Sequence, residues 1–191
     1  MKQIVGALLM FSLVLGGSPS GKNITYKIDG EKYEGYYISP SPDAPLVLIV
    51  HDWDGLTDYE VKRAGMLADL GYAVFAADLY GAGIRPTEFK DKHARANELY
   101  QDRGKMRTRL RGALKAAKKQ KANVDKAVAI GYCFGGAAIL EYARAGATLK
   151  GFVAFHGGLD TPEGEDYSQT KGEVLVLHGS ADGSVSMEDF A

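Results

Sequence analysis

The sequence has little cysteine, almost no net charge and few long apolar runs. Cys133 is the only cysteine among 191 residues, which excludes an intrachain disulfide and a cysteine-rich zinc site. The 23 basic and 24 acidic side chains give a formal net charge of -1, so we expect no global attraction to nucleic acid or to an anionic membrane surface. Apolar residues make up 46% of the chain, a fraction typical of globular proteins and not of disordered ones.

The longest apolar run lies at the N-terminus. Lys2 precedes the run from Ile4 to Leu15, and small residues at positions 16–18 and at Ser20 follow it. This order of charge, apolar run and small residues is typical of a secretory signal peptide. A membrane span needs about 20 apolar residues, and this run is shorter. We therefore predict a signal peptide over residues 1–20, a periplasmic or secreted protein, and no stable membrane insertion after cleavage.

Short apolar segments and helical patterns alternate through residues 21–191. The segments are typical of strands buried on both faces of a parallel sheet: Leu46–Val50, Ala73–Ala76, Ala127–Ile130, Phe152–Phe155 and Val174–Leu177. Two extended segments around Asp29-Gly30 predict an antiparallel hairpin before them. We predict one α/β domain, with a mostly parallel, doubly wound sheet flanked by helices, in which Val174–Leu177 is an apolar edge strand.

A run of basic residues accompanies the long helix predicted around Leu110. A solvated outer helix face explains such a run better than a nucleic-acid surface does. We assign these residues to the solvated face: Arg107, Arg109, Arg111, Lys115, Lys118 and Lys119.

The segment most specific to function is Gly131-Tyr132-Cys133-Phe134-Gly135-Gly136, between a predicted strand and a predicted helix. It has the pattern of a nucleophile elbow with cysteine in place of serine. Glycine at 131 and 135 permits the crowded turn, and the N-terminus of the following helix is expected to favour the thiolate. A buried, inert cysteine is the alternative interpretation, but the glycine frame favours a nucleophile.

Acyl transfer also needs an oxyanion hole, a base and a carboxylate that orients the base. The Phe134 N–H follows the nucleophile, and the Trp53 N–H lies in the loop after an earlier strand; both are expected to bind the oxyanion. Asp182 follows a later strand and fits the acid, although a turn-forming aspartate before Gly183 is the alternative. No metal site is predicted.

No histidine of the sequence is an obvious candidate for the catalytic base. In this fold the order is nucleophile, acid, histidine, and no histidine follows Asp182. We predict that His51, His156 and His178 bond to nearby loop backbone and that His93 is exposed. The expectation is a chain truncated at its C-terminus, with the base beyond residue 191.

Six motifs occur in order along the chain: His51-Asp52-Trp53-Asp54-Gly55-Leu56, Gly71-Tyr72-Ala73, Asp78-Leu79-Tyr80-Gly81, the elbow, Phe155-His156-Gly157-Gly158 and Leu177-His178-Gly179. Together they resemble the dienelactone hydrolase family, in particular its exported branch. The resemblance implies an α/β-hydrolase fold, a Cys-His-Asp triad, and hydrolysis of lactones or related esters without a metal or organic cofactor.

The resemblance also implies roles for particular residues. It makes Cys133 the nucleophile, Asp182 the triad acid, and Trp53 and Phe134 the oxyanion donors. Asp52 matches an acidic position that interacts with the resting thiol. The arginines that bind the dienelactone carboxylate have no assigned match, although Arg85 and Arg95 lie in the corresponding region.

The C-terminal segment also differs from the family. Family members continue with a helix, a strand, the histidine and a final helix. Here the stretch Ser186-Met187-Glu188-Asp189 predicts only a helix start, so the last strand and helix of the fold are missing from the prediction.

Three functions follow from these patterns. The first is a monomeric ester or lactone hydrolase of small molecules with a cysteine nucleophile. The second, for a chain that ends at residue 191, is a non-catalytic or thiol-sensing binding protein. The third is a thioesterase or general carboxylesterase; export favours such a generic hydrolase over dedicated dienelactone turnover.

Overall fold

The structure is a computed structural model that describes residues 20–190. The predicted signal peptide, apart from Ser20, lies outside the described residues, as does Ala191. Between residues 20 and 190, no helix combines the length and the apolar character needed to cross a membrane.

Strands and helices alternate as the sequence predicts. The strands are β1 (Lys22–Ile28), β2 (Glu31–Ile38), β3 (Pro45–Val50), β4 (Ala73–Ala77), β5 (Asn123–Tyr132), β6 (Gly151–Phe155) and β7 (Glu173–Leu177). The helices are α1 (Asp58–Asp69), α2 (Phe89–Gln101), α3 (Arg103–Lys119), α4 (Phe134–Arg144) and α5 (Met187–Phe190).

The strands form one seven-stranded sheet in the order β1-β2-β4-β3-β5-β6-β7. The hairpin β1-β2 joins the sheet antiparallel to β4, and the remaining neighbours pair in parallel. The prediction of a mostly parallel α/β sheet is confirmed. Parallel pairing places the carboxyl ends of β3 to β7 at the same edge, where sites form in such sheets.

Both faces of the sheet are covered by helices. Leu48 of β3 lies in the core cluster that contains side chains of α3 and α4, whereas Ile49 lies in the cluster that contains side chains of α1. Successive strand residues point to opposite faces, and both are fully buried. This double burial explains why β3 is a continuous apolar run in the sequence.

The basic helix α3 corrects one prediction. Arg109 is buried, and its guanidinium donates to the Leu79 carbonyl (2.6 Å) and to a Glu98 carboxylate oxygen (3.3 Å). The prediction that Arg109 lies on the solvated face was therefore wrong. The sequence shows that the residue is charged but not that the folded chain places hydrogen-bond acceptors around it. Arg111 and the three lysines at 115, 118 and 119 are exposed, as predicted.

The strand β7 lies at the edge of the sheet, as predicted. Val174, Leu175 and Leu177 are 40%, 52% and 42% exposed. The predicted helix start is also present: the Ser186 hydroxyl accepts from the Asp189 N–H (3.2 Å), and the Asp189 carboxylate accepts from the Ser186 N–H (3.1 Å).

Candidate active site

Cys133 lies at a sharp turn between β5 and α4. Its φ of 48° and ψ of -112° fall in a region that non-glycine residues rarely adopt. A Cβ atom on Gly131 would lie 2.1 Å from the Gly135 carbonyl oxygen, and one on Gly135 would lie 2.4 Å from the Val50 carbonyl oxygen. Only glycine fits at both positions, so the predicted elbow geometry is confirmed.

The surroundings of Cys133 oppose ionisation of its thiol. Burial, followed by the charge and hydrogen bonding of Asp52, raises the pKa of Cys133 to about 12, while the Phe134 N–H acts in the opposite direction. The N–H at the helix N-terminus acts in favour of the thiolate, as expected, but the net shift of the Cys133 pKa is upward. Loss of solvent and a neighbouring carboxylate outweigh one helix end.

Asp52 also binds the backbone N–H of Trp53, which the sequence analysis predicted to be an oxyanion donor. Its carboxylate accepts a hydrogen bond from the Trp53 N–H (2.5 Å). One carboxylate therefore holds both the nucleophile and the Trp53 N–H in the resting site. The Trp53 N–H is therefore already engaged in this structure.

The histidine that begins this loop, His51, is fully buried and holds the loop in place. Its Nε2 accepts from the Leu79 N–H (3.1 Å), so the ring proton is on Nδ1, which donates to the Asp52 carbonyl (2.5 Å). Burial lowers the pKa of His51, which keeps the ring neutral. The prediction that His51 bonds to loop backbone is confirmed.

Asp182 lies in the loop after β7 and binds an imidazole. Its carboxylate accepts from the backbone N–H groups of Ser184 (2.8 Å) and Val185 (3.2 Å) and contacts Nδ1 of His156. The Ser184 N–H, with a contribution from His156, lowers the pKa of Asp182. Asp182 therefore caps a turn, as the alternative interpretation has it, and also contacts a histidine.

The other histidines are distributed as follows. The Nε2 of His178 bonds to the Val185 carbonyl (3.0 Å), as predicted, and its Nδ1 lies 4.0 Å from the Asp182 carboxylate. His93 is exposed, as predicted. The prediction that His156 bonds to loop backbone through its ring was wrong, because only the folded chain brings Asp182 next to it.

Two cavities meet at Cys133. One, of about 380 Å³, is lined by Asp52, Trp53, His93, Ala96, Asn97, Tyr100, Cys133, Phe134, His156, Ser184 and Val185. The other, of about 410 Å³, is lined by Asp52, Asp54, Thr57, Tyr59, Glu60, Tyr132, Cys133, Phe155 and His156. Asp52, Cys133 and His156 belong to both, so a molecule in either cavity lies next to Cys133.

Sequence reasoning missed the contribution of α2 to the first cavity. His93, Asn97 and Tyr100 are four and three residues apart, a spacing that places them on one helix face. That spacing was a usable signal. It does not show, however, that this face lies over Cys133 and not against solvent.

Arg85 and Arg95, which the sequence analysis left unassigned, are not among the residues that line the two cavities at Cys133. Arg85 donates to the Ile84 carbonyl (2.7 Å) and lies 3.7 Å from the buried Asp78 carboxylate. Arg95 pairs with Glu98 (3.4 Å). Both line a separate cavity of about 410 Å³.

Comparison with known proteins gives the family. The model of the dienelactone hydrolase family matches residues 33–191. The chain belongs to the dienelactone hydrolase family. A protein of Aquifex aeolicus (strain VF5) with the provisional name carboxymethylenebutenolidase is 28% identical over 128 residues, which are 64% of this chain. The chain spans only 55% of the length of that curated relative.

Solved structures agree with this assignment. A dienelactone hydrolase-like promiscuous phosphotriesterase from metagenomic libraries is 35% identical, with a TM-score of 0.84, and the match covers 91% of this chain and 74% of that one. A dienelactone hydrolase-type structure from Klebsiella pneumoniae subsp. pneumoniae MGH 78578 is 22% identical, with a TM-score of 0.78, and covers 91% of this chain and 78% of that one. The second match shows the α/β-hydrolase fold alone, and the predicted fold is confirmed.

Proposed function

We propose that this member of the dienelactone hydrolase family hydrolyses carboxylic ester or lactone bonds of small molecules with Cys133 as nucleophile. The observation that carries the proposal is the strained elbow, which holds Cys133 in the wall of two cavities that Asp52 and His156 also line. Non-glycine residues in such conformations cluster at active sites, where surrounding structure must hold them.

The residues support a two-step mechanism. The substrate carbonyl displaces Asp52, and an imidazole takes the thiol proton. The Cys133 sulfur attacks the carbonyl carbon, and the N–H groups of Phe134 and Trp53 stabilise the oxyanion. The C–O bond breaks, the imidazole returns its proton to the leaving alkoxide, and an acyl-enzyme remains. Water then attacks the acyl carbon, the C–S bond breaks as the acid is released, and the imidazole carries the proton of the water to the Cys133 sulfur.

The state of the thiol favours an enzyme over a thiol sensor. Sensor cysteines are low-pKa and solvent-accessible, because the thiolate is the form that oxidants attack. The pKa of Cys133 is raised to about 12, and the thiol is partly buried. A thiol activated only when a substrate arrives is consistent with catalysis and protects the nucleophile between turnovers.

The cavity lining favours uncharged esters or thioesters over a carboxylate-bearing lactone. Trp53, Tyr100 and Phe134 supply aromatic surface, and Asp52 supplies negative charge. Arg85 and Arg95 are engaged in a separate cavity. A general carboxylesterase or thioesterase is therefore the specific form of hydrolase that we propose.

The proposal is tested with 4-nitrophenyl acetate and an acyl thioester. The wild-type protein should turn over both, and a brief reaction should add one acyl group to Cys133 in an intact-mass spectrum. The Cys133→Ala variant should lose turnover and the adduct while keeping its thermal transition. Undiminished turnover by that variant would refute the nucleophile assignment.

We also propose that residues 1–20 direct export and that the mature protein is a monomer. Fractionation of cells that produce the protein should place it in the periplasm or the medium, shortened by the N-terminal segment. Sedimentation should give a monomer mass. Retention in the cytoplasm, or a dimer at micromolar concentration, would contradict the respective proposal.

A further inference from the structure

We propose that Trp53, Phe89 and His93 form an aromatic rim that binds an alkyl chain of the ester substrate, an inference that rests on the proposed ester hydrolysis and names its substrate class. Trp53 and His93 line the first cavity at Cys133. Phe89 is 70% exposed, yet its ring contacts both of the others. Exposed apolar surface of this kind, next to a cavity, is typical of ligand-binding grooves.

The aromatic rim is continuous with the cavity because its residues share a face of α2. Phe89 is the first residue of this helix, and His93, Asn97 and Tyr100 follow it at intervals of four, four and three residues. Residues at this spacing lie on one helix face. The last three line the cavity, and Phe89 lies about 6 Å beyond His93 along the helix. An alkyl chain that leaves the cavity along this face therefore meets the Phe89 ring.

Ring contacts fix the shape of the aromatic rim. The rings of Trp53 and Phe89 meet edge to face, with centroids 5.2 Å apart and planes at 89°. The rings of Phe89 and His93 are stacked, with centroids 6.3 Å apart and planes at 18°. Edge-to-face and offset-stacked arrangements are the ones that aromatic rings prefer. The apolar surface is thus preformed, which reduces the ordering cost when an alkyl chain binds.

Lys92 holds the aromatic rim together from the side. Its ammonium lies 5.8 Å from the centre of the Trp53 ring and 3.9 Å from the Asp54 carboxylate. These contacts tie α2 to the loop after β3, so the indole stays against Phe89. The described residues that line the first cavity include no lysine or arginine, and they include the Asp52 carboxylate. This charge favours an uncharged alkyl chain over an anionic one.

Two isomeric esters test the inference and show which side of the ester reaches the aromatic rim. Methyl octanoate carries its alkyl chain on the acyl side, heptyl acetate carries it on the alcohol side, and methyl acetate has no long chain. Each methylene that is fully buried is worth about fourfold in binding, so Phe89→Ala should lower kcat/KM for one isomer, relative to methyl acetate, by about 10-fold. The loss should appear in KM, because the contact is made equally before and during the reaction.

Two other substitutions separate this role from a structural one. Leu70→Ala is the matched control, since Leu70 is 73% exposed at the end of α1 and lines neither cavity at Cys133; it should leave the preference for the longer ester as in the wild type. Phe89→Glu places a carboxylate in the first turn of α2, where the helix dipole favours it, so the helix should be kept. This variant should lower the preference at least as far as Phe89→Ala does.

Binding can also be measured without turnover. Trp53 is the only tryptophan of the chain, so its fluorescence reports on the aromatic rim. In the full-length Cys133→Ala protein, one of the two isomers should change this fluorescence saturably. Adding Phe89→Ala should raise the dissociation constant of that isomer about 10-fold.

An unchanged preference for both isomers in Phe89→Ala and in Phe89→Glu would overturn the inference, as would a fluorescence titration without saturable binding or with binding that Phe89→Ala does not weaken. Failure of the proposed function gives a different result. In that case the wild-type protein hydrolyses none of the three esters, or Cys133→Ala retains turnover. The Trp53 fluorescence titration then still decides whether the aromatic rim binds an alkyl chain.

Discussion

Replacing Asp52 with asparagine should lower the pKa of the Cys133 thiol and increase its thiolate fraction. The charge and hydrogen bonding of Asp52 are, after burial, the main causes that raise the pKa of Cys133 from 9.0 to about 12. Asparagine keeps an oxygen that can accept from the Trp53 N–H, so the loop geometry should survive. The variant therefore removes the charge while leaving the local hydrogen bond.

The size of the effect follows from thiolate populations. At pH 8 a thiol of pKa 9.0 is about one-tenth ionised, and one of pKa about 12 is about one ten-thousandth ionised. A charge a few ångströms away typically moves a pKa by about 1 to 3. Because a thiolate of lower pKa is also a weaker nucleophile, with a Brønsted slope of about 0.5, alkylation should accelerate by about 3-fold to 30-fold.

The assay is the pH dependence of iodoacetamide alkylation, together with the ultraviolet absorbance of the thiolate. Cys133 is the only cysteine, so both signals report one group. Asp54→Asn is the matched control, since Asp54 lies in the same loop but pairs with Lys92 at 3.9 Å. An alkylation rate in Asp52→Asn equal to or below that of the wild type would refute the assigned cause of the raised pKa.

Three further predictions concern stability. His51→Gln should lower the unfolding free energy by about 1–3 kcal/mol, because a buried hydrogen bond is lost. Burial lowers the pKa of His51, so the contribution of its neutral ring to the free energy of unfolding is complete above pH 6.5 and is lost as the pH falls below that value. In this pH range the free energy of unfolding should therefore depend less steeply on pH in the variant than in the wild type. Glu141→Gln, which removes a buried carboxylate paired with three arginines, should cost about 3–5 kcal/mol in urea denaturation, and a loss under 1 kcal/mol would contradict the buried-pair interpretation. Gly131→Ala should abolish soluble expression or lower the thermal midpoint sharply, whereas Gly65→Ala, where an added Cβ meets nothing within 4 Å, should be neutral or stabilising by up to about 1 kcal/mol.

The fold could be predicted because its signals are local. Double burial makes β3 a continuous apolar run, and the turn at Asp29, with a φ of 50°, and Gly30 joins β1 to β2. The elbow could be predicted for the same reason. Crowding between Gly131 and Gly135 is a contact within five residues, so the chain must encode it in a short motif.

The site could be predicted only in part. Asp52, Trp53, Cys133 and Phe134 were expected at the strand ends, and they line the first cavity together. The protonation state of the thiol was not predictable, because it depends on how much solvent the fold removes and on how close Asp52 lies. Neither quantity is a property of residue order.

The sequence by itself determined the strands, the order of the helices, the strained turn at Cys133 and the family motifs. Each of these depends on neighbours in the chain or on the alternation of apolar residues. Only the tertiary structure decided that His156 meets Asp182, 26 residues further along the chain, and that residues of α2 line a cavity together with Cys133. Those relations arise where parallel strands bring distant loops to one edge, and no local pattern specifies which side chains meet there.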